Sequence, residues 1–416
     1  MYHLKTFKNT FNATVLVAGF LLIFSACNKD DPKPDFDDKN ATVLDCDYFI
    51  KNTDATLKDN PDASVDYIVT CMMRVDGKLT IEPGVVIAFE QDAGLNFRDQ
   101  SSFKMEGTAA KPIILTGKEQ TKGYWSGIYT QSSNSANKMS YVTIDYAGGT
   151  GLPSHGQKAA LGVYGSNSPI TLENCTIKNS KNKGMLVSGS VGKNEKKVFM
   201  TNCVLTQNDM PIGSNASRLR MYNGTNSFKG NTNDYVYLDG GSIFGDATWA
   251  KLDVPYLMKN TANYGFQAND GVLTVEPGTD IMMSAQSKIR VFKDASLVML
   301  GTAQDPITIR GEKDIPGFWN QITIYSSSPL NEIGHVNVKN GGQTTGLPNG
   351  AVCVDFSTYL NIHNVVFTKC FEYGVSLNYK VGMPLFHLEY DNLSLDNTPK
   401  LFSDYVGAEV IDPFNP

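Results

Sequence analysis

The chain lacks a region of concentrated positive charge. It contains 36 Lys and Arg residues against 42 Asp and Glu residues, which gives a formal net charge of −6 at pH 7. Nucleic acid is bound through clustered cations that neutralise its phosphates. The one lysine-rich stretch, Lys193–Lys197, is interrupted by Asn194 and Glu195. We therefore expect no nucleic-acid partner.

The sequence also lacks the cysteine and histidine spacing of a metal site. Seven Cys and five His occur among 416 residues, without a Cys-x-x-Cys pair or a Cys/His cluster at zinc spacing. The sequence thus predicts no metal centre and no cofactor. Both disulfides and buried thiols are compatible with the six cysteines that follow Cys27. These are Cys46, Cys71, Cys175, Cys203, Cys353 and Cys370.

Apolar runs long enough to cross a bilayer are missing as well. The longest apolar stretch, Ala13–Phe24, follows two lysines and precedes Ser25-Ala26-Cys27. A charged start, a short apolar run and small residues before a cleavage point are typical of a secretory signal. We therefore predict a lipoprotein signal peptide over residues 1–26, followed by an exported chain.

The residues around Cys27 resemble the lipobox of bacterial lipoproteins. In that family the signal is cut before the cysteine and the cysteine is acylated, so the resemblance implies an anchor in outer-membrane lipid through Cys27. The following Asn28-Lys29-Asp30-Asp31 is similar to the export signal of surface lipoproteins in Bacteroidetes-type bacteria. Residues 27–44 are mostly polar and are predicted to be a disordered tether. Together these features imply a surface-exposed, lipid-anchored protein of the outer membrane.

An internal duplication dominates the rest of the chain. The segment Leu79–Gly84 (LTIEPG) returns as Leu273–Gly278 (LTVEPG), and Gly123–Trp125 returns as Gly317–Trp319, both 194 residues later. Short runs rich in Val, Ile, Thr, Tyr and Phe lie between turn residues, which indicates a nearly all-β fold. The predicted strands of the first copy include Lys78–Ile81, Val85–Phe89, Pro112–Thr116, Tyr141–Ile144 and Pro169–Leu172.

Asparagines recur at matching places in these strand patterns. Asn174 and Asn202 are 28 residues apart, and Asn364 occupies the corresponding place in the second copy. In a stack of parallel strands, equivalent residues lie above one another, so their amides can form hydrogen bonds along the stack. The pattern therefore favours a solenoid over a sandwich.

With its duplicated LTIEPG phrase and its asparagine pattern, the chain resembles the right-handed parallel β-helix family, the pectin-lyase-like fold, over about residues 65–395. The resemblance implies an all-β, right-handed parallel β-helix solenoid built from two duplicated segments. We predict a first segment at 45–247 and a second one, with a C-terminal cap, at 248–416. Arg218–Tyr222 and Tyr235–Leu238 are predicted as further strands at the junction. The sequence leaves open whether the solenoid is continuous or forms two lobes.

The pectin-lyase-like fold hosts polysaccharide lyases and glycoside hydrolases. A lyase needs carboxylates that hold a cation and a Lys or Arg base, and a hydrolase needs paired carboxylates. Neither set can be identified in this sequence, so no catalytic residue is assigned. Trp125 and Trp319 occupy equivalent positions and are predicted to be core residues, not sugar-stacking ones.

The glycine-rich loops 147–157 and 340–350 recur at one place in both copies. Loops on one face of a solenoid commonly form its binding surface. The candidate binding residues are Asp145, Tyr146, His155 and Tyr164 near the first loop, and Asn340 and Asn349 in the second.

Three functions are compatible with these features. The first, which the recurring loops favour, is a non-catalytic module that binds polysaccharide or another surface partner such as a protein. The second is a polysaccharide lyase or glycoside hydrolase whose site is scattered along the chain. The third is a structural or adhesive spacer.

Overall fold

The computed structural model describes residues 38–152, 156–190, 192–193, 198–259, 265–342, 346–378, 387–411 and 413. The predicted signal peptide, Cys27 and His155 therefore lie outside the described residues. The described part contains 35 β-strands, the four-residue helix α1 (Tyr48–Lys51) and a 3₁₀ helix at Ala216–Met221. None of its helices is long and apolar enough to span a bilayer. The predicted all-β class is confirmed.

Most of the regular structure consists of short strands. Those before the 3₁₀ helix are β1 (Thr42–Leu44), β2 (Asp54–Leu57), β3 (Tyr67–Val69), β4 (Met72–Val75), β5 (Lys78–Ile81), β6 (Val86–Phe89), β7 (Gly94–Phe97), β8 (Ser102–Glu106), β9 (Ile113–Gly117), β10 (Gly127–Thr130), β11 (Lys138–Ser140), β12 (Val142–Asp145), β13 (Ala159–Val163), β14 (Ile170–Glu173), β15 (Thr176–Lys178), β16 (Lys183–Val187), β17 (Val198–Thr201), β18 (Val204–Thr206) and β19 (Met210–Asn215).

Several strands after the 3₁₀ helix are longer. They are β20 (Val236–Asp239), β21 (Gly241–Ile243), β22 (Ala247–Trp249), β23 (Tyr256–Lys259), β24 (Phe266–Val275), β25 (Asp280–Met283), β26 (Ile289–Leu300), β27 (Ile307–Gly311), β28 (Ile322–Ile324), β29 (Glu332–Lys339), β30 (Gly350–Asp355), β31 (Tyr359–Thr368), β32 (Tyr373–Asn378), β33 (His387–Asp396), β34 (Lys400–Ser403) and β35 (Glu409–Val410).

In the first half, the strands pair in three parallel ladders. The first ladder contains β1, β3, β6, β9, β12, β15 and β18, and the second contains β2, β5, β8, β11, β14 and β17. The third begins with β4, β7, β10, β13, β16 and β19. From β2 onward, every third strand along the chain enters the same ladder. We call one passage of the chain through the three ladders a rung.

One contiguous apolar core runs through the stacked rungs, from Leu44 to Phe402. Buried and exposed residues alternate along β8 and β17, because successive side chains of a strand point to opposite faces. Trp125 and Trp319 are fully buried, which confirms their assignment to the core. Each indole Nε1 donates to a backbone carbonyl at 2.7 Å, that of Asp145 in the first copy and that of Lys339 in the second.

The predicted asparagine contacts are present in both copies. Asn202 Nδ2 donates to Asn174 Oδ1 at 3.4 Å, and Asn392 Nδ2 donates to Asn364 Oδ1 at 2.7 Å. All four residues have φ between 48° and 53°. Asparagine tolerates this left-handed conformation better than most residues. The asparagines thus turn the chain at matching places and link adjacent rungs.

A continuous ladder joins the two copies. β20 pairs with β19 and β23 pairs with β20, so Val236 lies between Ile212 and Tyr256 in the third ladder. Strand β25 pairs with β23 and so belongs to the third ladder. Its equivalent in the first copy is β6, which belongs to the first ladder. The second copy is therefore displaced by one ladder around the stack. The domain boundary predicted at residue 248 falls inside β22.

The prediction of a strand at Arg218–Tyr222 is wrong, because this part of the junction forms the 3₁₀ helix. Asn215 caps the helix, and its side chain accepts a hydrogen bond from the backbone N–H of Ser217 at 3.1 Å. Such a cap satisfies an N–H group that the first helical turn leaves unpaired. The other predicted junction strand, Tyr235–Leu238, is confirmed as β20, which begins and ends one residue later.

The described fold begins within the segment that composition assigns to the tether. Strand β1 pairs with β3 through Thr42 and Tyr67. A disulfide joins Cys46 to Cys71, so the first rung is covalently closed. The other four cysteines downstream are buried free thiols, namely Cys175, Cys203, Cys353 and Cys370.

Candidate functional site

Asp145 and Tyr146 hold the start of the first loop through internal contacts. The Asp145 carboxylate accepts a hydrogen bond from Asn179 Nδ2 at 2.9 Å and lies 3.4 Å from Lys178 Nζ. Burial raises the pKa of Asp145, and its contacts with Asn179 and Lys178 oppose this rise. Tyr146 has a φ of 59°, and its carbonyl accepts from the backbone N–H of Tyr124 at 3.0 Å.

Tyr164 belongs to a small apolar cluster on the outer side of the third ladder. Its hydroxyl donates to the Gln157 carbonyl at 3.2 Å, and its ring centroid lies 6.0 Å from that of Tyr129. Burial raises the pKa of Tyr164 to about 12. Leu152, from the first loop, packs in the same cluster. The described part of this loop therefore covers a segment of the third ladder.

Asn340 and Asn349 brace the second loop. Asn340 Nδ2 donates to Asp314 Oδ1 at 2.9 Å, and Asn349 Nδ2 donates to Glu372 Oε2 at 2.6 Å. Both side chains are buried. The two asparagines thus contact neighbouring protein groups instead of lining an open surface.

An open groove lies beside the first loop, on the outer side of the third ladder. Its volume is about 460 Å³. We call it the Lys183 groove, and its lining is formed by Gln157, Lys183, Leu186, Val187, Ser188, Gly189, Ser190, Ser214, Asn215, Tyr237, Asp239 and Gly240. Apart from Gln157, which belongs to the first loop, its residues come from β16, β19, β20 and the turns that follow them, which are three successive levels of the ladder.

The floor of the groove is shaped by Gly213. This residue lies between Leu186 and Tyr237 in the ladder. A Cβ atom at Gly213 would lie 2.9 Å from Lys183 Cε. The aliphatic part of Lys183 therefore lies flat across the glycine, and its Nζ is 6.0 Å from the centroid of the Tyr237 ring. The absence of a side chain at this position leaves room for the lysine and the groove.

The groove combines a cation, an aromatic ring and a carboxylate. Burial lowers the pKa of Lys183, and the charge of Asp239 opposes this effect. The Tyr237 hydroxyl donates to Asp239 Oδ1 at 3.0 Å. Burial and this carboxylate raise the pKa of Tyr237 to about 12. The phenol therefore stays protonated at neutral pH, and the site offers both hydrogen-bond donors and an acceptor.

A buried arginine holds the wall of the groove in place. Arg218 is 3% exposed, and its Nε donates to the Gly189 carbonyl at 2.9 Å. Its Nη2 donates to the carbonyls of Gly165 at 2.9 Å and Ser188 at 3.3 Å. A planar guanidinium can bridge several fixed acceptors in this way. The 3₁₀ helix thus ties together the turns after β13 and β16.

No local sequence signal marks Lys183, Tyr237 or Asp239 as site residues. They are far apart in the chain, and only the stacking of β16, β19 and β20 brings them together. Among the residues that the structure describes, no group of three or more His, Cys, Asp or Glu side chains is placed to hold a metal ion.

The geometry defines an all-β protein of large parallel sheets with an open groove on one ladder. No family model, no curated protein and no solved structure matches the chain. The function is therefore inferred from the groove and from the sequence signals.

Proposed function

We propose that the chain is a surface-exposed outer-membrane lipoprotein, anchored through Cys27, whose right-handed parallel β-helix binds polysaccharide in the Lys183 groove without cleaving it. The parallel ladders support the β-helix, since from β5 to β19 each strand enters the ladder of the strand three places before it, and parallel pairing continues through the second copy to β34. Crossover connections between parallel strands are almost always right-handed, which supports the handedness.

The observation that carries the binding proposal is the arrangement of Lys183, Tyr237 and Asp239. The face of a tyrosine ring can stack on the apolar face of a sugar, and ring-edge polar groups can bond to its hydroxyls. Lys183 supplies donors and Asp239 supplies an acceptor. The groove is open, and its levels repeat at about 4.8 Å. Such a surface suits an extended polymer better than an enclosed small molecule.

Affinity electrophoresis tests this proposal. The chain, purified in detergent, is run on native gels that contain plant, algal or host polysaccharides. We expect at least one polymer to retard the protein and Tyr237→Ala to weaken binding about tenfold or more, since it removes the stacking ring. Tyr237→Phe keeps the ring and should retain most of the affinity.

A matched control is available on another ladder. Tyr359 stacks on His387 with ring centroids 4.6 Å apart, and it lies outside the groove. Tyr359→Ala should therefore leave retardation unchanged. Equal binding by wild type and Tyr237→Ala would exclude the groove, and unchanged mobility with every polymer would favour a structural or adhesive spacer.

A second candidate function is polysaccharide cleavage. The observation that favours it is the lowered pKa of Lys183 in a groove that also holds Tyr237 and Asp239. A lysine of this kind can act as a general base. Clearing of polymer in the gels, abolished in Lys183→Met, would identify a lyase or hydrolase. Retardation without clearing supports the binding module.

The proposed location has its own test. Cys27→Ala removes the acylated residue, so the protein should leave the membrane fraction and appear in the soluble fraction. Protease added to intact cells should degrade the wild-type protein if it faces outward. Complete protection in intact cells, with degradation after lysis, would contradict surface exposure.

A further inference from the structure

A second cavity lies where the two copies meet, and it is separate from the Lys183 groove. Its volume is about 610 Å³, within the range of roughly 300–1,000 Å³ that is typical of small-ligand sites. The 3₁₀ helix and the residues after it form one wall, and β22 and β24 form the other. We call it the junction cavity, and its lining includes Arg220, Asp246, Thr248, Thr274 and Glu276.

Arg220 lines this cavity and carries an unused hydrogen-bond donor. Its Nε donates to the Asp246 carbonyl at 2.6 Å, and its Nη2 donates to the Phe244 carbonyl. Its Nη1 is buried and has no partner among the described residues. A buried N–H group without an acceptor is costly and is rare in folded proteins. Because Nη1 is closed to solvent in this conformation, an oxygen atom of a bound ligand would satisfy it after a small movement of the guanidinium toward the cavity.

The charges around Arg220 favour a neutral ligand over an anion. Burial lowers the pKa of Arg220, and the nearby carboxylates of Asp246 and Asp270 partly oppose this effect. Asp246 Oδ1 accepts from the Val272 N–H at 2.9 Å, and Glu276 Oε2 accepts from the Lys251 N–H at 2.8 Å. An added anion would therefore face the carboxylates of Asp246 and Glu276, which both line the cavity.

The opposite wall carries hydroxyl groups. Thr248 and Thr274 are paired on adjacent strands, and both line the cavity. Their hydroxyls can donate or accept, and the carboxylate of Glu276 can accept from a ligand hydroxyl. Donors and acceptors therefore face each other across a space that is large enough for a small ligand.

We propose that the junction cavity binds a neutral, hydroxyl-rich ligand, a short oligosaccharide, in which Arg220 Nη1 donates to a ligand oxygen and Thr248, Thr274 and Glu276 contact its hydroxyls. This site does not depend on the Lys183 groove. The 3₁₀ helix serves both places, because Arg218 holds the groove wall and Arg220 lines the cavity.

The first copy supplies a matched control for this wall. Asp54-Ala55-Thr56 of β2 is repeated as Asp246-Ala247-Thr248, and Thr80 pairs with Thr56 as Thr274 pairs with Thr248. The 3₁₀ helix and Arg220 lie beside the pair Thr248 and Thr274 of the second copy. A substitution at Thr80 therefore repeats the chemical change of one at Thr274 without touching the cavity.

Isothermal titration of the full chain in detergent tests the proposal. Cellotriose, mannotriose, maltotriose and galactotriose serve as neutral probes, and trigalacturonate serves as the anionic probe. All titrations are repeated in Tyr237→Ala, which removes the ring of the groove. We expect one neutral trisaccharide to bind in both backgrounds, and trigalacturonate to bind at least about tenfold more weakly, a difference of about 1.4 kcal/mol.

Thr274→Tyr, which fills the cavity from its wall, should weaken this binding at least about tenfold, and Thr80→Tyr should leave it unchanged. Arg220→Lys keeps the charge but removes Nη1, and it should also weaken trisaccharide binding at least about tenfold. If Arg220→Lys does not fold, as judged by circular dichroism, Thr274→Tyr decides. Failure of all four neutral probes, equal binding by Thr274→Tyr, or tighter binding of trigalacturonate would overturn the proposal.

Loss of the oligosaccharide in Tyr237→Ala but not in Thr274→Tyr would assign it to the Lys183 groove instead. That outcome would refute the junction site and support the proposed function of the groove. Loss of the oligosaccharide in Thr274→Tyr but not in Tyr237→Ala would support the junction site. The polymer experiment would then decide about the groove.

Discussion

The two copies of the duplication share their interior and differ on their outer side. Trp125 and Trp319 are both fully buried and donate to equivalent backbone carbonyls at the same distance of 2.7 Å. On the outer side, however, Lys183 of β16 corresponds to Tyr373 of β32. Tyr373 is buried, and its hydroxyl donates to the Gly407 carbonyl at 3.0 Å.

The neighbouring outer positions differ in the same way. Leu186 and Gly213 of the first copy correspond to Ser376 and Ser403, whose hydroxyls lie 2.7 Å apart and are fully buried. In the first copy these positions form an open groove, and in the second they are covered. The interior is close-packed, so few changes fit there, while the outer side can vary. A duplicated fold can therefore carry a site in one copy alone.

The largest expected effect tests the shared interior. Trp125→Ala and Trp319→Ala should each lower the free energy of unfolding by about 3–5 kcal/mol, because each leaves a large cavity and an unpaired carbonyl. Urea titration followed by circular dichroism measures this. Trp249→Phe is the control, since the Trp249 Nε1 is buried and finds no partner in the described part of the chain, so its loss should cost little. A marked difference between Trp125→Ala and Trp319→Ala would refute the equivalence of the two interiors.

The next prediction replaces Lys183 by tyrosine, the residue that the second copy has at the equivalent position, Tyr373. Lys183→Tyr removes the ammonium group and places a ring over Gly213, so polysaccharide retardation should weaken about tenfold or more. The free energy of unfolding should change by less than about 1.5 kcal/mol, as is usual when no buried partner is lost. Lys104→Tyr, at an exposed site on the second ladder, should not affect binding. Retention of full affinity in Lys183→Tyr would show that the difference between Lys183 and Tyr373 does not affect polysaccharide binding.

A third prediction concerns pH and compares Asp145 with Lys339, its equivalent in the second copy. Burial raises the pKa of Asp145 above its ordinary 3.8, so the folded state binds the proton more tightly than the unfolded state. Ionisation of Asp145 therefore destabilises the fold at neutral pH. This penalty shrinks as pH falls below the folded pKa and is gone below the ordinary pKa of 3.8.

The free energy of unfolding should accordingly rise from neutral pH toward about pH 4 more in wild type than in Asp145→Asn, which retains an oxygen acceptor for Asn179. Urea titrations at several pH values measure the difference between the two proteins. Parallel pH profiles would contradict a raised pKa at this position. Lys339→Gln should leave the profile unchanged.

The smallest effect is expected at the asparagine turns. Asn202→Ala and Asn392→Ala should each cost about 1–2 kcal/mol, since alanine is disfavoured at positive φ. The glycine variants, Asn202→Gly and Asn392→Gly, should cost less because glycine adopts this conformation freely. The shorter amide contact of Asn392 should make its loss slightly larger than that of Asn202. Equal stability of the alanine and glycine variants would exclude backbone strain as the cause.

Local sequence patterns predicted much of the fold. The run Lys78–Ile81 is strand β5 with the same bounds, and the other predicted strands of the first copy agree within one residue at each end. The buried tryptophans and the stacked asparagines were also predicted, because each follows from repetition at a fixed position. The 3₁₀ helix was missed, since Arg218–Tyr222 has the alternating pattern of a strand and its arginines donate to carbonyls that are distant in the chain.

The candidate site was much less accessible to sequence reasoning. The first loop does adjoin the groove through Gln157, and Tyr164 packs beneath it. The described candidate residues mostly brace the loops internally, and His155 lies outside the described residues. Lys183 and Tyr237 have no local signal that connects them, because their proximity depends on which strands stack.

By itself, the sequence determined the all-β class, the duplication, the buried positions and the residues that turn the chain, because these depend on local periodicity and backbone preference. Tertiary structure alone decided that the second copy is displaced by one ladder and that the first copy keeps its groove open. It also decided that Arg220 lines a cavity at the junction. The physical reason is that stacking brings together residues of successive rungs that are far apart in the chain. The length and conformation of each turn decide which of these residues meet.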